Sequence, residues 1–361
     1  MRAWEKYIRK VEPYVPGEQP KDRNIVKLNT NENPYPPAPK VEKILEEFNA
    51  KELKYYPSAT VEKLVEKLAD YYHVNENQVF TGVGSDDVLG MAFLTFFNSD
   101  KPILFPDITY SFYKVWADLF RIPYECPKLS DDFRIRKEDY YKENGGIVIA
   151  NPNAPTSIYE PVEFIRDILI HNQESIVIVD EAYIDFAGES ALPLIQEFEN
   201  LLVVQTYSKS RSLAGIRIGY AIGNERLIKA INDVKYSYNS YTMNMTAIEC
   251  GAAALEEKDY YRSITEKIIL TRQAAKIKLE QLGFTCLDSG TNFLFATHRF
   301  LEAKTIFDEL RAKNIFVRHF DSKRINNYLR ITIGTEEEMK KLYDALNEIL
   351  IRYDKNEGAN C

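Results

Sequence analysis

No apolar run in this chain approaches the roughly 20 residues that a membrane-spanning helix needs, so a role within a membrane is not expected. Cysteine is scarce: Cys126, Cys250, Cys286 and Cys361 are the only four in 361 residues, and none forms a C-x-x-C pair. That spacing does not fit a disulfide scaffold and argues for reduced thiols in a cytosol. The four histidines, His73, His171, His298 and His319, are scattered and offer no metal-ligand spacing. Basic charge is also short, with 46 Lys and Arg against 54 Asp and Glu for a net charge of −8. No basic stripe of the kind that holds nucleic acid is present. The N-terminal "MRAWEKYIRKVEPYVPGEQP" lacks the apolar core of a secretory signal, so a cytoplasmic location is expected.

What remains is an ordinary composition, 45% hydrophobic and 28% charged, in a chain longer than one typical core. The segment "NTNENPYPPAPK" holds four prolines and cannot be a helix interior; it reads as part of an extended arm lying on the rest. "VEKLVEKLADYY" places Val61, Leu64, Val65, Leu68, Ala69 and Tyr72 at helical spacing. Then "GGIVIANPN", "SIVIVDEAY" and "LLVVQTYSK" are apolar runs that end in polar residues, as strands buried on both faces of a parallel sheet do. Helical stretches such as "EPVEFIRDILIHN" separate them, which implies βαβ units with helices on both sides. From about residue 250 a long helical stretch precedes "TCLDSGTNFLFAT", "IFVRHF" and "YLRITIG", the pattern of a smaller α+β unit.

Ligands of open α/β sheets bind beyond the carboxyl ends of the strands, and polar clusters gather there. "TYSKSRSLAGIRIG" surrounds Lys209 with Thr206, Ser208 and Ser210 and adds Arg217. "TGVGSDD" puts Ser85 at the start of an apolar helix, where free backbone N–H groups could hold a phosphate. Asp180 ends a strand-like run, where a carboxylate is costly to bury without a cation. Alone, each has a bland reading: an N-cap, a salt bridge, a surface lysine. Together they supply what pyridoxal 5′-phosphate requires, namely a lysine for its aldehyde, an acid beside its ring nitrogen and donors for its phosphate.

With "LNTNENPYP", "YYP", "GVGSDD", "PDITYSFY", "NPNAPTS", "VDEAYIDF", "TYSKSRSLAGIRIGY" and "NYLRITIGT" in this order, the sequence resembles the fold-type I, class II pyridoxal-phosphate aminotransferases, and among them the histidinol-phosphate aminotransferase branch. The resemblance implies an α/β large cofactor domain over 39–250 with a mostly parallel sheet flanked by helices. A small α+β domain over 251–361 and an N-terminal arm over 1–38, packed on the small domain or a partner subunit, would complete it. Lys209 would carry the cofactor and shuttle the substrate Cα proton. Asp180 would keep the ring nitrogen protonated. Tyr183 would donate to the phenolic oxygen, either alone or with Asn153 in place of the usual asparagine, and Tyr110 would stack on the ring. Ser85, the Asp86 amide, Thr206, Ser208 and Arg217 would grip the phosphate, joined from the neighbouring subunit of a homodimer by Tyr55. Arg330 would clamp the α-carboxylate of glutamate or 2-oxoglutarate, and Arg318 and Tyr14 would contact histidinol phosphate. The implied reaction is a ping-pong exchange of the amino group.

Two positions depart from the family turn: Ala154 stands where an asparagine is usual, and Ser157 where glycine is usual. The stretch "YSYNSYTMNM", expected to line the substrate pocket, also differs from the common form. An aromatic amino acid aminotransferase of the same subgroup stays open at this point, as does a threonine-phosphate decarboxylase-like lyase. A regulator that borrows the fold would carry an added DNA-binding module, for which the proline-rich, non-basic arm gives no sequence basis.

Overall fold

The computed structural model describes residues 2–15, 17–20 and 24–358; Cys361 lies outside them. Among the described residues the strands form three sheets. The largest orders its strands β2-β8-β7-β6-β5-β3-β4. They are β2 (Val79–Gly82), β3 (Ile103–Leu104), β4 (Tyr124–Glu125), β5 (Gly146–Ala150), β6 (Val177–Asp180), β7 (Leu201–Thr206) and β8 (Gly219–Gly223). Neighbours from β4 through β7 pair parallel, while β8 runs antiparallel to both β7 and β2. The expected parallel core is present, and the glycine-flanked strand β8 inserts against its direction.

The continuous apolar runs have a simple cause. Successive side chains alternate between faces, and both faces are covered. Ile147, Ile149, Val177, Val179, Leu201 and Val203 enter one buried cluster with the helices Glu62–Tyr72 and Met245–Leu255. Val148, Ile178, Leu202 and Val204 enter another, on the helices Ser85–Phe96 and Phe112–Phe120. The register sets Ala150, Asp180 and Val204 side by side at the carboxyl edge.

A four-stranded antiparallel sheet orders β12-β13-β10-β9, from β9 (Phe284–Cys286), β10 (Phe293–His298), β12 (Arg318–His319) and β13 (Leu329–Thr332). Helices Lys258–Gln281, Ala303–Ala312 and Glu336–Gly358 flank it, and Leu294, Ala296, Leu329 and Ile331 belong to its own apolar cluster. The arm is less uniformly extended than its prolines suggest. It opens with a short 3-10 turn, Ala3–Tyr7, and later forms β1 (Val26–Lys27), parallel to β11 (Ile315–Phe316). Pro39 starts the helix Pro39–Glu47, where its missing N–H does no harm. No helix among the described residues is long and apolar enough to cross a membrane, and no group of potential metal ligands gathers among them.

Candidate active site

A cavity of about 400 Å³ opens at the carboxyl edge of the large sheet. Ten residues expected from the sequence line it: Ser85, Asp86, Tyr110, Asp180, Tyr183, Thr206, Ser208, Lys209, Arg217 and Arg330.

One end is built for an anion. The helix Ser85–Phe96 begins here, capped by Gly84 at φ 89°, so its first backbone N–H groups are free to bind. Both neighbouring glycines are required by close approach: a Cβ on Gly84 would strike the Arg217 guanidinium, and one on Gly219 would strike the Gly84–Ser85 backbone. Arg217 Nη1 donates to Ser208 Oγ at 3.4 Å and Nη2 lies 3.5 Å from Asp86 Oδ2. Thr206 Oγ1 lies 3.1 Å from Ser208 Oγ. Ser210, the third hydroxyl around Lys209, turns away and donates to Asp185.

The other end holds a buried acid. Asp180 Oδ2 accepts from the Tyr113 hydroxyl at 2.7 Å and Oδ1 from the Ala182 N–H at 3.2 Å. Burial pushes its pKa up to about 6, against those two donors. Neither hydrogen bond brings a cation, so the carboxylate can still take a positively charged donor. Tyr110, whose own hydroxyl donates to Asp86 at 2.7 Å, stands between the two ends.

Lys209 Nζ lies 5.6 Å from the Tyr183 ring centroid and donates to the Thr30 carbonyl at 3.3 Å. That carbonyl belongs to the arm, which closes the cavity. Asn31, at φ 57°, donates its amide to the Tyr183 hydroxyl oxygen at 2.8 Å, leaving the hydroxyl proton for an acceptor in the cavity. Thr332 of β13 and Asn292 in turn hold Asn31. Arg330 donates through Nη2 to the Asn29 carbonyl at 2.9 Å, while its buried Nε has no partner among the described residues. Burial lowers its pKa, and an anion would relieve that.

Four expected residues fall outside the cavity lining. Asn153 uses both amide hydrogens locally, on Ile108 O and Thr156 Oγ1, each at 2.9 Å, while its oxygen accepts from Thr109. It therefore has no donor left for a ring oxygen. Tyr14 stacks on Phe112 at 4.2 Å. Arg318 pairs in register with Arg330 across β12 and β13, and its Nη2 reaches the Val15 carbonyl at 3.5 Å. Tyr55 is 58% exposed, turned outward on the surface. Of the stretch expected to line the pocket, Tyr236, Tyr238 and Tyr241 are exposed. Ala154 lines the cavity, and Ser157 takes the left-handed conformation, φ 69°, that suits the usual glycine.

Sequence reasoning missed Tyr113, Thr30, Asn31 and Glu32. Glu32 lines the cavity from the arm, and Lys27 and Thr30 donate to it. Tyr113 was visible only as the last residue of "PDITYSFY", with nothing in its spacing to join it to Asp180.

Known proteins resemble this chain. The family model for aminotransferase class I and II covers residues 23–346. The histidinol-phosphate aminotransferases of Clostridium beijerinckii and of Lactococcus lactis are each 49% identical over 354 residues, spanning 98% of this chain and 99% of theirs. The crystal structure of histidinol-phosphate aminotransferase from Sinorhizobium meliloti with pyridoxal-5′-phosphate superposes with a TM-score of 0.83 over 90% of this chain and 91% of that one, at 24% identity. At that identity the superposition speaks to the fold alone. The family match and the two close relatives agree, and the chain belongs to the class I and II aminotransferases.

Proposed function

We propose that the chain is a pyridoxal-phosphate-dependent histidinol-phosphate aminotransferase. It would exchange the amino group between histidinol phosphate with 2-oxoglutarate and imidazole-acetol phosphate with glutamate, a step of histidine biosynthesis. The observation that carries this reading is the cavity itself. One lysine amine shares it with a cluster of anion donors and with a buried acid that no cation among the described residues pairs with. The donor set fits the group: three hydroxyls, a helix start and a guanidinium suit a phosphate, and the buried acid suits a protonated ring nitrogen.

Pyridoxal phosphate, when bound, supplies the aldehyde that takes up the amino group and a ring that withdraws electrons from the substrate Cα. The protein does the rest. Ser85, the Asp86 amide, Thr206, Ser208 and Arg217 hold the phosphate, Tyr110 bounds the ring face and Asp180 keeps a proton on the ring nitrogen. Tyr183 donates to the phenolic oxygen. Lys209 Nζ takes the proton from the substrate Cα and returns it on the other side of the exchange. Arg330 holds the carboxylate of glutamate, with its planar fork suited to that shape. Arg318 and Tyr14, flanking Arg330 and Phe112, take the phosphate end of histidinol phosphate.

We read the chain as an arm (1–38), a large domain (39–250) and a small domain (251–361), and as a cytoplasmic homodimer with shared sites. Two apolar clusters follow this division in broad outline, although the first runs on through Ala253 to Ile264 and the second takes in Ala154, Tyr183 and Phe186. Leu53, Tyr55, Tyr56, Tyr238 and Tyr241 are exposed, and the Tyr56 and Tyr241 rings lie 4.9 Å apart. An aromatic patch of this kind marks a partner surface and would let Tyr55 reach the neighbour's phosphate.

The test compares kcat/KM for histidinol phosphate, phenylalanine and tyrosine with 2-oxoglutarate. The expected result is a preference for histidinol phosphate that falls on Arg318→Ala. Preference for an aromatic amino acid would overturn the substrate, and release of carbon dioxide without amino transfer would overturn the reaction.

A further inference from the structure

Behind the cavity, on the side away from it, lies a buried polar chain that the reaction does not use. Arg211 is 4% exposed. Its guanidinium carbon stands 5.0 Å from the Tyr207 ring centroid and 5.3 Å from that of Tyr71. Nη2 donates to the Tyr72 hydroxyl at 3.3 Å, and Nη1, 3.6 Å from Asp185 Oδ2, has no hydrogen-bond partner among the described residues. Ser210 donates to the same Asp185 carboxylate. Tyr72 and Tyr220 donate to Gln205 Oε1 at 2.8 and 2.7 Å, and Gln205 Nε2 donates to Glu181 at 2.8 Å.

Five of its members lie beside a residue of the site along the chain. Glu181 follows Asp180, Asp185 is two places after Tyr183, Gln205 precedes Thr206, and Ser210 and Arg211 follow Lys209. The chain thus ties together, from behind, the ends of β6 and β7 and the two loops that leave them. Stability does not explain it. A buried, incompletely paired guanidinium is a poor stabiliser, and an apolar side chain of similar volume is often as good or better.

We propose that Arg211, acting with Asp185, is a positioning residue for the aminotransferase reaction inferred above: it fixes where the Lys209 amine stands relative to Tyr183 and Asp180. Aromatic faces on Tyr207 and Tyr71 set the guanidinium plane, and that plane holds the Asp185 loop against the Lys209 loop. Small errors in such spacing are costly to rate, about a hundredfold for a displacement near 1 Å.

The experiment uses the full-length, cofactor-loaded protein with Arg211→Met, Arg211→Lys and Asp185→Asn. Arg211→Met should retain the thermal midpoint of the wild type and bind cofactor, yet lose about ten- to hundredfold in kcat with KM changed by less than about twofold. The absorbance band of the bound cofactor should shift its pH midpoint. Arg211→Lys should recover part of the rate. Asp185→Asn, altering a half-exposed carboxylate that folding tolerates more readily, should shift the midpoint in the same sense, and the double variant should be less than additive. Unchanged kcat and an unchanged midpoint in Asp185→Asn, or in a folded Arg211→Met, would overturn the proposal. A fall in thermal midpoint alone, with rate and spectrum preserved, would overturn it too. A wild type without cofactor absorbance or turnover would instead refute the function on which the proposal rests.

Discussion

Asp180 and Glu181 are chain neighbours, both buried and both holding a proton to unusually high pH, yet their surroundings divide them. Burial pushes Asp180 up to about 6 and Glu181 up to about 7. Asp180 faces the cavity with two donors, Tyr113 and the Ala182 N–H. Glu181 faces the protein with three: Ser190 and the Ala191 N–H at 2.6 Å and Gln205 at 2.8 Å. The first carboxylate retains room for a charged donor that the described residues do not supply. The second is satisfied by its own fold. Adjacent positions at the end of one strand point to opposite sides, so one acid meets the ligand and the other braces the frame.

The sharpest way to break this comparison is by activity. Asp180→Ala should lower kcat by about 10²–10³-fold or more, the scale seen when one preorganised electrostatic partner is removed. It should also weaken cofactor retention during gel filtration. Glu181→Ala should act chiefly on folding, with thermal midpoint reduced and the surviving protein keeping most of its kcat. Equal losses of kcat in both variants would mean that the two carboxylates are not divided in this way.

The next effect is on stability, read in cofactor-free protein. In the unfolded chain an aspartate loses its proton near 3.8, while folded Asp180 keeps it to about 6. Below both values the group contributes nothing to the balance. As pH rises between them the unfolded state releases its proton first, so unfolding becomes favoured and stability falls. About two pK units correspond to roughly 3 kcal/mol at most, present in full above pH 6. Asp180→Asn should therefore stabilise the cofactor-free protein at pH 8, measured by urea unfolding, and leave it little changed at pH 4. Its amide can still accept from Ala182 and donate to a turned Tyr113 hydroxyl. Glu181→Gln should not gain in the same way. Its amide would confront the Gln205 amide, whose oxygen already serves Tyr72 and Tyr220. Parallel gains in both variants would erase the distinction.

How much of this was legible in the sequence follows from where each partner lies. Asp180, Lys209 and Arg217 could be found because strand ends concentrate chemistry and each motif is contiguous. The parallel runs β5, β6 and β7 could be found because two covered faces leave no polar alternation to confuse with a surface strand. The reversal of β8 could not, since direction depends on which neighbour it pairs with, not on its residues. Tyr113 and Asn31 were missed because their partners, Asp180 and Tyr183, lie 67 and 152 positions away. Asn153 lies outside the cavity lining for a similar reason: its amide is taken up by Thr156 in its own turn and by Ile108 and Thr109, 45 and 44 positions back, and family spacing does not register that competition.

The smallest expected effect concerns that turn. Ser157 holds φ 69° where glycine would be unstrained, and its hydroxyl offsets the strain by donating to a carbonyl, that of Thr156 or, at 3.1 Å, that of Asp288. Its backbone also accepts from the Gly290 N–H at 2.8 Å. The left-handed conformation disfavours serine by about 1–2 kcal/mol, and a side-chain hydrogen bond returns about 1 kcal/mol. Glycine additionally loosens the unfolded chain, which opposes the gain. Ser157→Gly should therefore shift unfolding free energy by less than about 1 kcal/mol in either direction, with kcat unchanged because the hydroxyl points to Asp288 and not into the cavity. If kcat moved instead, the turn would be part of the chemistry on the Asp180 side of the comparison, and the departure from the family glycine would be a catalytic adjustment instead of a structural exchange of strain for a hydrogen bond.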